Sequence, residues 1–364
     1  MIRRVFINNF RCLVAFEKHF DEMSVYWGPN GSGKSSLFDA ILFLRDLAVG
    51  NCFLGGAGDE SKRTVSSLEF CRWLSSNTQE FEIEMEINGS TFFYHIQIQQ
   101  VADYEQPRIV KEIARCDGRD LYTRELNKVQ FGENKDKEFS LDWRLSALTV
   151  FQPSRNEKQL NDLKNALNDI VILRPSACAF EFESKYEAKH ANMDLKNIVS
   201  WYRYLAQDQD FTDVLRESLQ RVWPDDFKSL KLTEAGVSVK QLQLNFNGLL
   251  LPFEKLSDGE KMLVALYMIH AVFASTEHGM TVLIDEPDNH ISLQEMQPWL
   301  VEMSEIVDDK RQLKIITHDA EIIKCMPSHS KVFFRDNHSS PTRVKSLEIP
   351  EGISVSDALA RGWV

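Results

Sequence analysis

The sequence predicts an α/β fold with a mainly parallel core sheet, an antiparallel β flank and an inserted helical subdomain. Strand and helix patterns alternate between residues 227 and 316, which favours parallel strands joined by helices. A glycine-rich segment, residues 28–33, joins an apolar strand pattern to a helical pattern. Residues 81–87 alternate strictly between apolar and acidic side chains, which indicates one strand of an antiparallel hairpin.

The composition is that of a globular protein of roughly two domains, on a prior of about 150 residues per domain. The chain has 364 residues, of which 43% are hydrophobic and 26% are charged. Its net charge of -12 argues against indiscriminate binding to nucleic acid, although this count would not reveal a local basic patch. Nucleic acid binding therefore stays open but has no support from the charge.

Neither the cysteines nor the apolar segments indicate an exported or membrane protein. The six cysteines are scattered without Cys-x-x-Cys spacing, so we expect reduced core thiols. The N-terminus lacks the apolar core of a signal peptide, and no apolar run reaches the roughly 20 residues of a spanning helix. We expect a cytoplasmic protein that makes no membrane contact.

The N-terminal lobe, residues 1–152, is predicted to begin with short strands. The last of these, Ser24–Trp27, leads directly into the glycine-rich segment. A helix is predicted to begin at Lys34 and to stop at Gly50, because apolar residues between them have helical spacing. Two hairpins follow in this lobe, with their strands and turns at 81–87, Asn88–Gly89 and 92–98, then 108–115, Asp117–Gly118 and 120–124.

A helical subdomain and a C-terminal lobe complete the predicted organisation. Helical spacing dominates residues 156–223, so residues 153–226 are predicted as an inserted helical subdomain. Its apolar positions are Leu160, Leu163, Leu167 and Ile170, then Ile198, Trp201, Tyr202 and Leu205, then Val214, Leu215 and Leu219. The C-terminal lobe, residues 227–364, is predicted to contain strands in 227–253, a helix from Ser257, a strand at Val282–Ile284, a helix from Ser292 and a strand at Leu313–Ile316.

Residues Gly28–Ser35 have the Gly-x-x-x-x-Gly-Lys-Ser spacing of a phosphate-binding loop. Gly31 and Gly33 allow successive backbone amides to curl around phosphates. Lys34 reaches the outer phosphates, and the hydroxyl of Ser35 can bind magnesium. The alternative is a chance glycine-rich turn, which the preceding strand and the following helix disfavour.

A second motif places two carboxylates, Asp285 and Glu286, at the end of an apolar strand. In a phosphoryl-transfer site Asp285 would hold the metal, and Glu286 would act as general base on the attacking water. The alternative is a strand that runs into an acidic loop. The phosphate-binding loop in the same chain disfavours that alternative.

The segment Leu256–Lys261 reads Leu-Ser-Asp-Gly-Glu-Lys. Ser257 and Glu260 predict a capping box that begins a helix. Free amides at that helix N-terminus, the serine hydroxyl and the small Gly259 also make a second phosphate site. Two phosphate sites for one nucleotide suggest a shared, dimeric arrangement.

In these motifs the chain resembles the ABC-type ATPases, and its Leu-Ser-x-Gly-Glu form resembles the soluble SMC, RecF and OLD-like branch. Further agreement comes from Ile7–Arg11, from Asp288 and from Ile315–His318. The resemblance covers roughly residues 1–150 and 227–335. It implies an ABC-type P-loop ATPase head that uses ATP and Mg²⁺.

The resemblance also implies a role for each matching residue. His318 resembles the switch histidine at the terminal phosphate, or else it only caps a strand end, and Asp288 resembles a turn residue that communicates across a dimer. Gln152 would sense magnesium or be a plain loop residue, and Arg11 would approach the nucleotide or lie in solvent. The implied nucleotide-binding residues are Gly28, Pro29, Asn30, Gly31, Ser32, Gly33, Lys34, Ser35, Ser36, Arg11, Ser257, Gly259, Glu260 and Asp288; the catalytic residues are Lys34, Glu286 and His318; the metal ligands are Ser35, Asp285 and Gln152.

The expected function is an ATPase that forms a homodimer or higher oligomer around ATP and regulates a separate effector, a nuclease or toxin, in bacterial antiphage defence. The span between the phosphate-binding loop and the Leu-Ser-Asp-Gly-Glu segment is too short for the long coiled coil of SMC proteins, and no Asp-x-Asp cluster follows His318 to suggest a nuclease domain. One alternative is a RecF-like DNA repair ATPase that duplex DNA stimulates. A transporter subunit is disfavoured by the absence of membrane spans. A nucleotide-locked scaffold with little turnover is the alternative from another class, and Glu286 argues against it.

Overall fold

A computed structural model describes residues 1–55, 63–101, 106–132, 137–151, 158–347 and Ala358. The chain divides into two compact units, each of which combines segments that are distant in sequence. The first unit contains Met1–Val171, Gly279–Thr281 and Lys331–Ser346, and the second contains Ile172–His278, Val282–Ser330 and Leu347–Val364. The predicted domain boundaries after residues 152 and 226 stay a prediction.

The described strands and helices have the following bounds. The strands are β1 (Ile2–Asn8), β2 (Phe16–His19), β3 (Met23–Trp27), β4 (Cys52–Leu54), β5 (Arg63–Val65), β6 (Thr78–Ile87), β7 (Ser90–Val101), β8 (Gln106–Cys116), β9 (Arg119–Glu125), β10 (Lys128–Phe131), β11 (Lys137–Ser140), β12 (Ile170–Leu173), β13 (Glu183–Ser184), β14 (Phe227–Gly236), β15 (Val239–Phe246), β16 (Leu249–Pro252), β17 (Met280–Asp285), β18 (Arg311–Ile316), β19 (Ser330–Phe334) and β20 (Arg343–Ser346). The helices are α1 (Lys34–Val49), α2 (Ala147–Val150), α3 (Lys158–Asn168), α4 (Ile198–Leu205), α5 (Gln209–Val222), α6 (Asp258–Ser275), α7 (Leu293–Ile306) and α8 (Ala320–Cys325).

An eight-stranded antiparallel sheet lies in the first unit, in the order β11-β10-β9-β8-β7-β6-β1-β2. The turn between β6 and β7 contains Asn88 and Gly89, with φ angles of 52° and 80°. A two-residue hairpin turn of type I′ requires two successive positive φ angles. Asparagine and glycine adopt such angles with little strain. The predicted antiparallel flank and both predicted hairpins are therefore confirmed.

A polar cluster is buried in this sheet. The side chains of Glu112 and Arg124 are both 0% exposed. The Glu112 carboxylate accepts hydrogen bonds from the hydroxyls of Tyr94 and Tyr122, at 2.9 and 2.7 Å, and from the amide of Ala147 at 2.9 Å. Because buried charges require such partners, the cluster fixes α2 to the sheet.

The strand and helix alternation that the sequence predicts is present. Strands β12, β17 and β18 are neighbours in this order, and α7 connects β17 to β18. A helical connection is the usual link between neighbouring parallel strands. Trp299 of α7 is fully buried and donates from Nε1 to the carbonyl of Leu266 in α6 at 2.8 Å.

The predicted helical subdomain is only partly helical. Helices α3, α4 and α5 are present as predicted, but Ile170 lies in β12 and not in a helix. The segment Ile170–Leu173 reads Ile-Val-Ile-Leu, and its β-branched side chains fit a strand better than a helix. Pairing with β17 outweighs the helical spacing that Ile170 shares with α3.

The cysteines and the helices agree with two further expectations. Every cysteine is a free thiol, and Cys12, Cys52, Cys71 and Cys116 are buried, whereas Cys178 is exposed and Cys325 is partly exposed. Through the described ranges, no helix combines the length and apolar character that crossing a bilayer requires.

Candidate functional site

The phosphate-binding loop of the first unit has the backbone conformation that its glycines predict. The loop follows β3 and ends where α1 begins, and Gly28 and Gly33 have φ angles of 151° and 104°. A Cβ atom on Gly33 would lie 2.3 Å from Oγ1 of Thr342, and one on Gly28 would lie 2.1 Å from the carbonyl oxygen of Phe333. These distances are too short for any side chain, so both positions require glycine.

Lys34 is buried in the first turn of α1, next to the phosphate-binding motif's last glycine. Gly33 occupies the cap position at the N-terminus of α1 and makes no side-chain cap hydrogen bond. Lys34 is 4% exposed, and its Nζ donates to the carbonyls of Gly28 and Pro29 at 2.7 and 3.2 Å. Backbone amides at a helix N-terminus and a buried ammonium group together attract phosphate.

The remaining loop residues differ in exposure. Pro29, Asn30, Gly31 and Ser35 are exposed, whereas Ser32 is buried and Ser36 is partly exposed. The Ser32 hydroxyl makes no hydrogen bond within the described part of the chain. A buried hydroxyl of this kind is a donor that a phosphate oxygen would satisfy.

The C-terminal segment of the first unit supports the loop, which the motif alone does not predict. Oγ1 of Thr342 donates to the carbonyl of Ser32 at 2.9 Å, and Nη1 of Arg335 donates to the carbonyl of Gly31 at 3.1 Å. The Arg335 guanidinium also lies 5.2 Å from the ring centroid of Trp73. A cavity of about 160 Å³ is lined by Pro29, Asn30, Gly31, Ser32, Arg335, Asn337 and His338.

Arg11 is held by two carboxylates. Its guanidinium donates to Glu69 and to Asp39, and Asp39 lies one helical turn after Ser35 in α1. These ion pairs fix Arg11 to the helix that follows the loop, so it does not simply lie in solvent. Its predicted contact with the nucleotide stays a prediction, and Gln152 lies outside the described residues.

The acidic strand end of the second unit brings Asp285, Glu286 and His318 together. Asp285 ends β17 and is 8% exposed. Glu286 has a φ angle of 54°, and its amide donates to the carbonyl of Ile316 at 2.8 Å. Nε2 of His318 lies 3.3 Å from Oε1 of Glu286, and Nδ2 of Asn289 donates to Oε2 at 3.1 Å. Partners on both carboxylate oxygens thus orient Glu286.

Asp288 belongs to the same cluster. Its Oδ2 accepts a hydrogen bond from Oγ1 of Thr317 at 2.9 Å, and Thr317 precedes His318 directly. Burial raises the pKa of the Asp288 carboxyl. The ends of β17 and β18 therefore place the two acidic residues of the motif, Asp288 and the histidine within one group of side chains.

The Leu-Ser-Asp-Gly-Glu segment begins α6, and the predicted capping box is present. Ser257 is the cap residue, with its Oγ accepting from the amide of Glu260 at 3.3 Å, while Oε2 of Glu260 accepts from the amide of Ser257 at 2.8 Å. A Cβ atom on Gly259 would lie 2.7 Å from the carbonyl oxygen of His290. The small residue is therefore required, because the turn after β17 packs against this helix start.

Arg174 is a contact of the acidic strand end that the motifs do not predict. It follows β12 directly, and its Nε donates to Oδ2 of Asp285 at 3.0 Å. No periodicity or motif in the sequence marks this arginine.

Comparisons with known proteins agree with this architecture. A family model described as "AAA domain, putative AbiEii toxin, Type IV TA system" matches residues 27–324. The comparison with curated proteins gave no match. Three solved structures of SMC head domains share the fold. One, an SmcHead bound to the C-winged helix domain of ScpA, is 16% identical with a TM-score of 0.57 over 95% of this chain and 98% of its own.

Two further SMC head structures, from Pyrococcus furiosus and Thermotoga maritima, share the fold. The Smc head domain with an extended coiled coil from Pyrococcus furiosus, bound to the C-terminal domain of ScpA, is 14% identical with a TM-score of 0.52 over 100% of this chain and 98% of its own. The SMC head domain from Thermotoga maritima is 13% identical with a TM-score of 0.50 over 96% of this chain and 99% of its own. The chain therefore belongs to the AAA domain family that the model describes, and it is an ATPase with the fold of an SMC head.

Proposed function

We propose that the chain binds ATP on residues 28–36 and hydrolyses it with the acidic strand end, as a switch that dimerises around the nucleotide. The observation that carries this proposal is the loop itself, with its glycine-only backbone positions and with Lys34 buried in the first turn of α1. Backbone amides at a helix N-terminus and a nearby ammonium group are the groups that bind phosphate in loops of this kind.

Lys34→Ala tests the binding step. Removing the ammonium group deprives the outer phosphates of their cation, so we expect fluorescent ATP analogue binding to weaken by about 100-fold or more. Lys164→Ala is the matched control, because the Nζ of Lys164 also donates to a backbone carbonyl of the first unit, that of Thr149 at 3.3 Å. ATP binding by Lys34→Ala at the parent affinity would overturn the proposal.

The donor chemistry of Ser35 and Asp285 fits Mg²⁺, because hydroxyl and carboxylate oxygens are the ligands that this ion prefers. When bound, Mg²⁺ neutralises charge on the phosphate oxygens. Glu286 would accept the proton of the attacking water as general base. Asn289 and His318 contact its two carboxylate oxygens and would hold the side chain in the orientation that proton transfer requires.

A second copy of the chain would complete the site. Ser257 is exposed at the N-terminus of α6, where the first amides of the helix have partial positive charge. We assign Ser257, Gly259 and Glu260 to the surface that closes over the terminal phosphate held by the partner copy. Asp288 would communicate between the two copies, and hydrolysis would reopen the interface.

The biological role that we propose is control of a separate nuclease or toxin in bacterial antiphage defence, within the cytoplasm. The description of the matching family, which names a putative toxin and a type IV TA system, supports a role of this class. The test is co-purification of the chain with its neighbouring gene products, with and without ATP. Recovery of a membrane permease in place of an effector would contradict the defence role.

A further inference from the structure

Arg174 and Asp285 form a close and partly buried ion pair. Nε of Arg174 lies 3.0 Å from Oδ2 of Asp285. The Asp285 side chain is 8% exposed and that of Arg174 is 30% exposed. A carboxylate that is buried to this extent gains from a charge-assisted hydrogen bond more than an exposed one does, because water screens the pair less.

The backbone around Arg174 is also fixed. The amide of Arg174 donates to the carbonyl of Met193 at 2.6 Å, and the amide of Ser176 donates to the carbonyl of Asp194 at 3.3 Å. Asn197 braces the segment that contains these carbonyls, because its Oδ1 accepts from the amide of Asn192 at 2.8 Å. The arginine is therefore tethered at its backbone and at its guanidinium.

This placement has a consequence for any cation that Asp285 holds. Oδ2 of Asp285 already accepts a hydrogen bond from a positive group, so a divalent cation at this carboxylate meets both a partly neutralised ligand and a like charge. A guanidinium does not lose its proton in proteins, so this opposition persists at every working pH.

We propose that Arg174 is a positioning residue that competes with Mg²⁺ for Asp285 and thereby sets the Mg²⁺ concentration at which the ATPase assembles its metal site. The inference rests on the proposed role of Asp285 as a metal ligand. With Arg174 paired to Oδ2, metal affinity is held below the value that the carboxylate alone would give.

The test compares Arg174→Gln with the parent chain in the Glu286→Gln background, in which we expect ATP to be bound without being hydrolysed. Mn²⁺ binding in the presence of ATP is followed by electron paramagnetic resonance, and Mg²⁺ affinity is obtained by competition. We expect Arg174→Gln to lower the half-saturating metal concentration by about tenfold, the effect of removing one charge-assisted hydrogen bond. Arg174→Lys keeps the positive charge, so its half-saturating metal concentration should lie between those of the parent and of Arg174→Gln.

Arg221→Gln is the matched control, because Arg221 also pairs with a carboxylate of the second unit, that of Glu302 at 2.9 Å. Its metal affinity should equal that of the parent. Nucleotide binding in EDTA separates the two proposals, since it reports the phosphate-binding loop without metal. Suppose that Arg174→Gln binds nucleotide in EDTA as well as the parent does, but that its metal affinity is unchanged or weaker. That result would overturn the role of Arg174 and leave the proposed function standing. No nucleotide binding by the parent would overturn the proposed function and this inference with it.

Discussion

Replacing Glu112 with alanine is expected to lower the free energy of unfolding by about 3–5 kcal/mol, the cost of removing one partner of a buried ion pair. Glu112 and Arg124 are 0% exposed, so solvent cannot replace the lost carboxylate. Arg124 also donates to the backbone carbonyls of Leu126, Asp142 and Leu145. Because these three carbonyls still stabilise the guanidinium, we place the cost of Glu112→Ala near the lower end of that range.

A second variant measures how much of the destabilisation by Glu112→Ala comes from a single hydrogen bond. Tyr122→Phe removes only the hydroxyl that donates to Oε1 of Glu112 at 2.7 Å. A hydrogen bond to a charged group contributes about 1.5–3 kcal/mol, so Tyr122→Phe should destabilise the chain less than Glu112→Ala does. Glu138→Ala is the control, since its 45% exposed side chain pairs with Lys128 at the surface and should change stability by about 1 kcal/mol or less.

Urea denaturation followed by tryptophan fluorescence measures all three variants. The expected order of destabilisation is Glu112→Ala, then Tyr122→Phe, then Glu138→Ala. A Glu112→Ala variant within about 1 kcal/mol of the parent would show that the buried cluster does not stabilise the sheet, contrary to its hydrogen-bond geometry.

The remaining predictions concern turnover. Glu286→Gln should still bind ATP, but its rate of phosphate release should fall by about 10²- to 10⁴-fold, since the amide cannot accept the water proton. The variant should accumulate as a dimer, which light scattering measures. Hydrolysis at the parent rate would show that Glu286 is not the general base. Ser257→Ala should leave ATP binding by the isolated chain intact, cost about 1 kcal/mol through the lost helix cap and impair hydrolysis. Monomers that turn over at the full rate would contradict the shared site.

Local features of this chain could be predicted from the sequence, because their signals lie within a few residues of one another. The capping box of Ser257 and Glu260, and the helix stop at Gly50, are confirmed for this reason. Ile170 shows where local spacing fails. Its position fits the helical period of α3, but pairing in the sheet places it in a strand, and that pairing depends on residues far along the chain.

Contacts between distant residues account for what the sequence could not predict at the candidate site. Arg174 lies 111 residues before Asp285, and Thr342 lies 310 residues after Ser32. Arginine and threonine are common residue types and no motif marks these two positions, so only folding reveals their partners. The motif residues were predictable because phosphate chemistry dictates their spacing, whereas the residues that hold the motif in place follow from the topology.

In the proposed switch, the turn after β17 would couple dimerisation to hydrolysis, because it contacts the start of α6 and contains Glu286. Glu286 begins this turn in a left-handed conformation, and His290, with a φ angle of 70°, lies four residues later. The carbonyl of His290 packs so closely on Gly259 that no side chain fits between them. A partner phosphate that draws the start of α6 toward it would therefore displace His290. Because Glu286 lies in the same short and strained turn, its carboxylate would move with the interface.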